Sequence, residues 1–291
     1  TPMYFHKFRN KNNKKIIKSS HHIIYTSETM AFSTIIPIKL HLYNLHNKSH
    51  TMFVMGFFKE KNLISNILRK WILKSFSNLI FLSKSELNYA KKKYPEYKEK
   101  FYYLPFSVDL NFWKNNQSDL EKKYILFNGN DLNRDYELVS NIIKNLNEFE
   151  FLIISNKLGN LQDLDNVTYI NTSIKNNFLS DLDLGKYYKQ SYLSLIPVLD
   201  SIQPSGQSVA IQSMANNIPV LMSYTDGFWD KDNFSNNVNI YFEKNNSIDW
   251  TNKIKEILNN SNKQLIENAY KQIEELNSIE NNYKIFKKII S

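Results

Sequence analysis

The sequence has no cysteine, and its 291 residues include only six glycines and seven prolines. Without cysteine there are no disulfides, no thiolate nucleophile, no iron–sulfur cluster and no cysteine-ligated zinc. The fold therefore does not depend on an oxidising compartment, which favours a cytoplasmic setting. Long apolar runs are lacking too. Stretches such as Phe53 to Phe58 fall well short of the roughly 20 residues needed to cross a bilayer. No basic segment followed by an apolar stretch and a small-residue cleavage site opens the chain, so no secretory signal is expected. What is present is ample core material: 42% of residues are hydrophobic and 14% aromatic, enough to fill two domains.

Charge is divided unevenly. The net charge of +9 conceals +14 over residues 1–106 and −5 over residues 107–291, and all six histidines fall in the first 50 residues. A basic half can attract nucleic acid, anionic lipid headgroups or phosphorylated acceptors, and it is equally compatible with a plain solvated surface. No nucleic-acid motif accompanies it, so nucleic acid is not an expected partner.

Along the chain, residues 1–20 read as an exposed basic start. Apolar runs then alternate with helical periods: a strand at His22–Tyr25, a helix over Met30–Leu45 interrupted near Pro37, and a strand at Thr51–Met55. Next come a basic amphipathic helix from Leu63 to Phe76, a strand at Leu79–Leu82, and a helix over Ser85–Tyr94 capped by Ser83 or Ser85 and stopped by Pro95. The amphipathic helix fits packing on a sheet better than lying on a membrane, although both share its pattern. A polar segment, Asn115 to Lys123, precedes a second series. That series has strands at 124–127, 150–154, 167–170, 192–196, 218–222 and near 238–242. Its helices cover 134–146, 180–190 and 207–216, with further helices from about 249 and 263. Strand–helix alternation implies parallel sheets covered on both faces. The fold class expected is α/β, with two Rossmann-like domains facing across a cleft, residues 1–106 and residues 107–291.

Glycine is scarce enough that each one marks a place where a side chain would obstruct. Gly129, Gly206 and Gly227 each follow a predicted strand. Gly129 stands in Asn128-Gly129-Asn130-Asp131, Gly206 in Pro204-Ser205-Gly206-Gln207-Ser208, and Gly227 in Thr225-Asp226-Gly227. Helix starts with bare backbone N–H groups attract anions, and Arg134 beside them would add a bidentate phosphate donor. The combination suits a diphosphate. Each glycine taken alone reads as a turn residue; the three together with an arginine favour a ligand site.

These residues resemble the retaining glycosyltransferases of GT-B fold known as glycosyl transferases group 1. Phe81 to Glu86 and Tyr103-Leu104-Pro105-Phe106-Ser107-Val108-Asp109 are similar to the family's interdomain passage. Asn128-Gly129 through Arg134 is similar to its glycine turn and diphosphate-binding cation. Leu182 to Pro197 is similar to the helix and strand ahead of the signature, and Ser205 through Val220 to the signature itself. The resemblance covers residues 80–291 well and the earlier part loosely. The family commonly has two glutamates separated by seven residues; here Pro204 and Gln212 take those positions. Gln212 is thus expected to accept from ribose hydroxyls through its amide oxygen, and the role of the first glutamate passes to Ser205, Gln207 or their amides. Asn130 stands where an arginine is frequent. The first domain is short for the fold and lacks a glycine-rich loop, so it is expected to be reduced or incomplete.

The resemblance implies transfer of a sugar from a UDP- or GDP-sugar to an acceptor hydroxyl on a lipid or surface glycan, with retention. No metal or cofactor beyond the nucleotide sugar is implied. Arg134 and the helix start at Gly206 would stabilise the leaving diphosphate. The substrate-binding set is Gly129, Asn130, Ser205, Gly206, Gln207, Ser208, Gln212, Asp226, Gly227 and, toward the acceptor, Glu28, with His50 as a second catalytic candidate. Asp181-Leu182-Asp183 has metal-pair spacing but opens a helix, where carboxylates cap. The basic half would allow peripheral contact with an anionic membrane, at its cytoplasmic face. Competing readings are a sugar-nucleotide epimerase or phosphorylase of the same architecture and a non-catalytic basic binding protein.

Overall fold

The computed structural model describes residues 11–56, 63–115, 120–172 and 179–291. The expectation for residues 1–10 and the centre of the polar segment, 116–119, lie outside these. The chain divides into two compact units, residues 1–105 with 284–291 and residues 106–283.

In the first unit, β1 (His22–Tyr25), β2 (Ser49–Val54), β3 (Asn78–Phe81) and β4 (Phe101–Tyr103) form one parallel sheet in sequential order. The connecting helices are α2 (Glu28–Lys39), α3 (Leu63–Ser75) and α4 (Lys84–Lys93). Right-handed crossovers in sequential order keep them on one face. Their core gathers Tyr25, Ile35, Met52, Leu73, Phe76 and Phe81. The other face receives the chain's last residues: Phe286 stacks on Phe53, and the Asn78 side-chain amide donates to the Ile289 carbonyl at 3.2 Å. The 107–291 boundary is corrected accordingly, because the end of α11 (Ile279–Ile290) packs on the first sheet. Ser83 caps α4, its hydroxyl accepting from the Glu86 amide at 3.4 Å. Two local expectations also change. Lys11–Ser19 is a helix, α1, and the helix expected over 30–45 ends at Lys39, two residues past Pro37, before a short 3-10 turn at Leu42–Asn47.

The second unit holds β5 (Tyr124–Asn128), β6 (Phe151–Ile154), β7 (Val167–Ile170), β8 (Ser191–Ile196), β9 (Val220–Ser223) and β10 (Tyr241–Glu243). All neighbouring strands are parallel, in the order β7-β6-β5-β8-β9-β10. This is the doubly wound order in which the winding reverses between β5 and β8, and ligands of such sheets bind outside the carboxyl ends at that reversal. Both faces are apolar, as a parallel sheet between helix layers requires. Ile125, Phe127, Phe151, Ile153 and Leu195 pack with α6 (Tyr136–Asn145) and α9 (Ser247–Asn259). Leu126, Leu152, Ile154 and Ile196 pack with α8 (Gln207–Ala215) and α10 (Lys263–Leu276). A short helix, α5 (Leu110–Asn115), leads into the expected polar segment, and its Trp113 is buried against Tyr188.

Candidate diphosphate site at the strand reversal

The loops after β5 and β8 are stitched together by backbone. The Asp135 amide donates to the Pro197 carbonyl at 3.1 Å, the Leu199 amide donates to the Asn133 carbonyl at 2.8 Å, and Arg134 forms an isolated antiparallel bridge with Val198. Arg134 therefore lies just ahead of α6, not within the helix expected from 134. Asp135 caps α6, accepting from the Leu138 amide at 3.0 Å.

The stitching drives the Arg134 side chain inward, where it is only 3% exposed. A Cβ on Gly129 would lie 2.7 Å from its Nε, and one on Gly206 would lie 2.7 Å from its Nη1 and 2.4 Å from Ile196 Cγ2. The two glycines thus form the walls that let the guanidinium pass between the loops. Gly206 also has φ +79°, a left-handed conformation that side chains disfavour.

Asp131 Oδ2 sits 2.9 Å from Arg134 Nε. The contact is an ion pair without the alignment of a hydrogen bond, and Nη1 has no hydrogen-bond partner among the described residues. Burial pushes the Arg134 pKa down, and Asp131 only partly counters it. A buried guanidinium with an open donor is costly unless an anion completes it. Next to it, α8 begins at Gly206 with no side-chain cap. The first-turn N–H groups of Ser208 and Val209 consequently lack the N-cap side-chain oxygen that Asp135 supplies to α6 and Ser180 to α7 (Asp181–Lys189).

The remaining candidates separate by contact. Ser205 Oγ donates to Asp131 Oδ1 at 2.8 Å, so Ser205 and Asp131 brace the cradle together. Gln207 is buried and Ser208 half-buried in the first turn of α8. Asn130 is corrected from ligand to brace. Its side chain donates to the Thr172 carbonyl at 3.1 Å and accepts from the Asn156 amide at 2.6 Å and the Ser155 hydroxyl at 3.2 Å, joining the loops after β5, β6 and β7. Gly227 is buried, and a Cβ there would fall 1.7 Å from the Ser201 carbonyl oxygen. It is kept for close loop packing, and no contact links it to Arg134. The exposed Asp226 carboxylate faces Lys231 at 3.5 Å.

Gln212 is also corrected in detail. Its amide oxygen already accepts from the Tyr188 hydroxyl at 3.1 Å, which leaves the NH2 group to donate to a ligand oxygen. Burial pushes the Tyr188 pKa up and so keeps its hydroxyl protonated. Gln212 opens on a cavity of about 340 Å3 shared with Ser107, Asp109, Phe112, Trp113 and Asp181. Sequence reading missed Asp131 and assigned Tyr188 no role in the site. Asp131 stands three residues before Arg134, a spacing that would have suggested the pair.

The first-unit candidates, His50 and Glu28, are held by contacts within their own unit. His50 is 1% exposed, stacked on Tyr25 and tilted against Phe76. Its Nε2 donates to the Leu45 carbonyl at 2.7 Å and its Nδ1 accepts from the Tyr25 hydroxyl at 2.9 Å. Both ring nitrogens are spent and burial lowers the pKa, so His50 is a neutral core residue near the amino end of β2 and is corrected from a catalytic role. Glu28, in the first turn of α2, accepts from the Met55 amide and so ties the carboxyl ends of β1 and β2 together. Asp183 serves as expected of a helix start: its amide donates to Ser180 Oγ at 3.1 Å, and its carboxylate accepts from Ser180 Oγ at 2.6 Å and Lys186 Nζ at 2.9 Å.

No protein-family model and no curated protein sequence matches the chain. Solved structures do. A glycosyltransferase from Rickettsia africae ESF-5 matches with TM-score 0.72 at 15% identity, covering 96% of this chain and 81% of its own. Sucrose-phosphate synthase from Thermosynechococcus elongatus matches with TM-score 0.73 at 15% identity, covering 99% and 78%. HepE from Anabaena, solved in complex with UDP, matches with TM-score 0.70 at 10% identity, covering 96% and 81%. The likeness shows the fold: two Rossmann-like parallel-sheet units, the GT-B architecture of these glycosyltransferases.

Proposed function

We propose that this chain is a glycosyltransferase that takes a nucleoside-diphosphate sugar, UDP- or GDP-linked, and transfers the sugar to an acceptor hydroxyl with retention and without a metal ion. The observation that carries the reading is Arg134 Nη1, buried between Gly129 and Gly206 beside the uncapped start of α8 and without a hydrogen-bond partner among the described residues. A diphosphate at that point would complete the guanidinium and accept from first-turn N–H groups of α8. Gln212 stands six residues along α8 from Gly206, about 9 Å at the helical rise, at the mouth of the cavity lined by Phe112 and Trp113. That spacing suits a ribose following the diphosphate. HepE, which shares the fold, holds UDP and UDP-glucose.

In the reaction, the bond from the anomeric carbon to the diphosphate oxygen breaks and its electron pair stays on that oxygen. The acceptor hydroxyl oxygen bonds to the anomeric carbon on the same face, and its proton passes to the departing phosphate oxygen. Arg134 and the α8 amides stabilise the charge that develops there, in place before the bond breaks. The nucleotide sugar is a co-substrate, and the acceptor is a hydroxyl on a lipid or glycan.

The test is titration of UDP and GDP in the presence of a chelator, followed by thermal shift and calorimetry, with release of nucleotide from UDP- and GDP-sugars as the activity readout. Removing one member of a buried charge pair costs about 2–5 kcal/mol, so Arg134→Gln should weaken nucleotide binding roughly thirtyfold or more. Absence of stabilisation by either diphosphate, or equal affinity in a folded Arg134→Gln, would overturn the reading.

A further inference from the structure

The outer face of α3 is apolar where the outer face of a sheet-covering helix is ordinarily polar. Its inner face is buried through Leu73 and Ile72, yet Ile64 is 68% exposed, and Ile67 and Trp71 are exposed beside it. At 100° per residue, Ile64, Ile67 and Trp71 fall within about 60° of one another and Lys74 adjoins them. On the neighbouring helix α2, Ile36 and the C-cap Leu40 are also exposed, and Lys39 reaches over the Trp71 ring, its Nζ 6.0 Å from the centroid. Lys70 and Lys74 are exposed along the same helix. Neither α1 nor α3 contains an acidic residue, and the first 106 residues carry +14.

We infer that this face of the first unit is a docking surface for an anionic lipid bilayer. Ile64, Ile67 and Trp71 would enter the boundary between headgroups and acyl chains, where amphipathic helices and tryptophan rings partition. Lys39, Lys70 and Lys74 would meet the lipid phosphates. Charge selects this occupant over a second copy, since a symmetric pair through the same patch would bring two strongly positive surfaces together. The N-terminus of α3 follows the carboxyl end of β2, so the docked face reaches the edge of the sheet where ligands of parallel α/β folds bind. The inference rests on the first unit alone and is independent of the donor site.

The full chain is mixed with vesicles of phosphatidylcholine, with and without phosphatidylglycerol, and sedimented. Trp113, Trp229 and Trp250 are buried, so a shift of tryptophan emission to shorter wavelength on anionic vesicles reports Trp71. The shift should occur in the native chain, disappear in Trp71→Phe and weaken as salt rises. Ile64→Asp with Ile67→Asp should lower partitioning at least about tenfold, and Lys70→Gln with Lys74→Gln about fivefold per lysine. Both substitutions are on the surface and should leave nucleotide-induced stabilisation unchanged. Retention of the native chain in the supernatant with anionic vesicles at low salt would overturn the inference. So would equal sedimentation of the Ile64→Asp/Ile67→Asp variant, or a dimer in ultracentrifugation that this variant abolishes.

Discussion

His50 in the first unit and Arg134 in the second are buried to nearly the same degree, 1% and 3% exposed, but their surroundings treat them in opposite ways. Around His50 the carbonyl of Leu45 and the hydroxyl of Tyr25 take up both ring nitrogens, and aromatic rings close the sides. The neutral ring needs nothing more. Around Arg134 the protein supplies one carboxylate, two glycine walls and an uncapped helix, and among the described residues gives neither Nε nor Nη1 a hydrogen bond. Burial alone does not distinguish a core residue from a functional one; the decisive quantity is the hydrogen-bonding capacity left open inside.

The contrast can be broken most severely at Gly206. Gly206→Ala would force a side chain into a left-handed backbone and against both Ile196 and Arg134. A loss of about 2–4 kcal/mol in urea unfolding is expected, together with loss of nucleotide-induced stabilisation. A change below about 0.5 kcal/mol, the usual range for harmless surface substitutions, would refute the tight passage. Gly129→Ala meets only the movable Arg134 side chain, whose displacement should weaken UDP or GDP binding about tenfold or more while stability changes by less than about 1 kcal/mol. Calorimetry beside unfolding separates the two effects, and an unchanged affinity would detach Gly129 from the site.

The smallest effect belongs to His50. Its pKa in the folded chain is lowered, so the unfolded chain takes up the proton first as pH falls. Stability is therefore full above about 6.5, the unfolded value. Below it, stability declines by at most about 1.4 kcal/mol per pH unit until the folded group titrates. Melting temperatures between pH 8 and pH 5 should show this decline, reduced in His50→Gln, with nucleotide affinity unaltered by the substitution at pH 8. An altered affinity would return His50 to the site.

Much of the architecture was readable because the alternation of apolar runs and helical periods survives in nearly every element from His22 to Ile273. The positions of Gly129, Gly206 and Arg134 were readable because glycine is scarce and follows strands. Other features were not. β4 is three residues long, too short for a period, and α1 has no fully buried residue, only Ile17 resting partly buried on the core, so its two isoleucines among lysines and asparagines gave no core signal. His50 invited a catalytic role because sequence shows a residue's type and hides its hydrogen-bond partners. Asn130 likewise reads as a ligand until the loops after β6 and β7 are seen to use both ends of its amide.

Composition and periodicity by themselves determined that two parallel-sheet units would form, that their charges would be opposite in sign, and that Gly129, Gly206 and Gly227 would follow strands. Only the tertiary structure decided which polar groups are satisfied. Arg134 Nη1 lacks a hydrogen-bond partner among the described residues because residues more than 60 positions apart bring two glycines and a helix start around it. His50 is complete because the Leu45 carbonyl meets one ring nitrogen from the preceding turn and Tyr25, on the neighbouring strand, meets the other only once the sheet forms. Local sequence sets backbone geometry through short-range sterics. Whether a buried donor is answered depends on distant groups, and that is settled only when the chain closes around it.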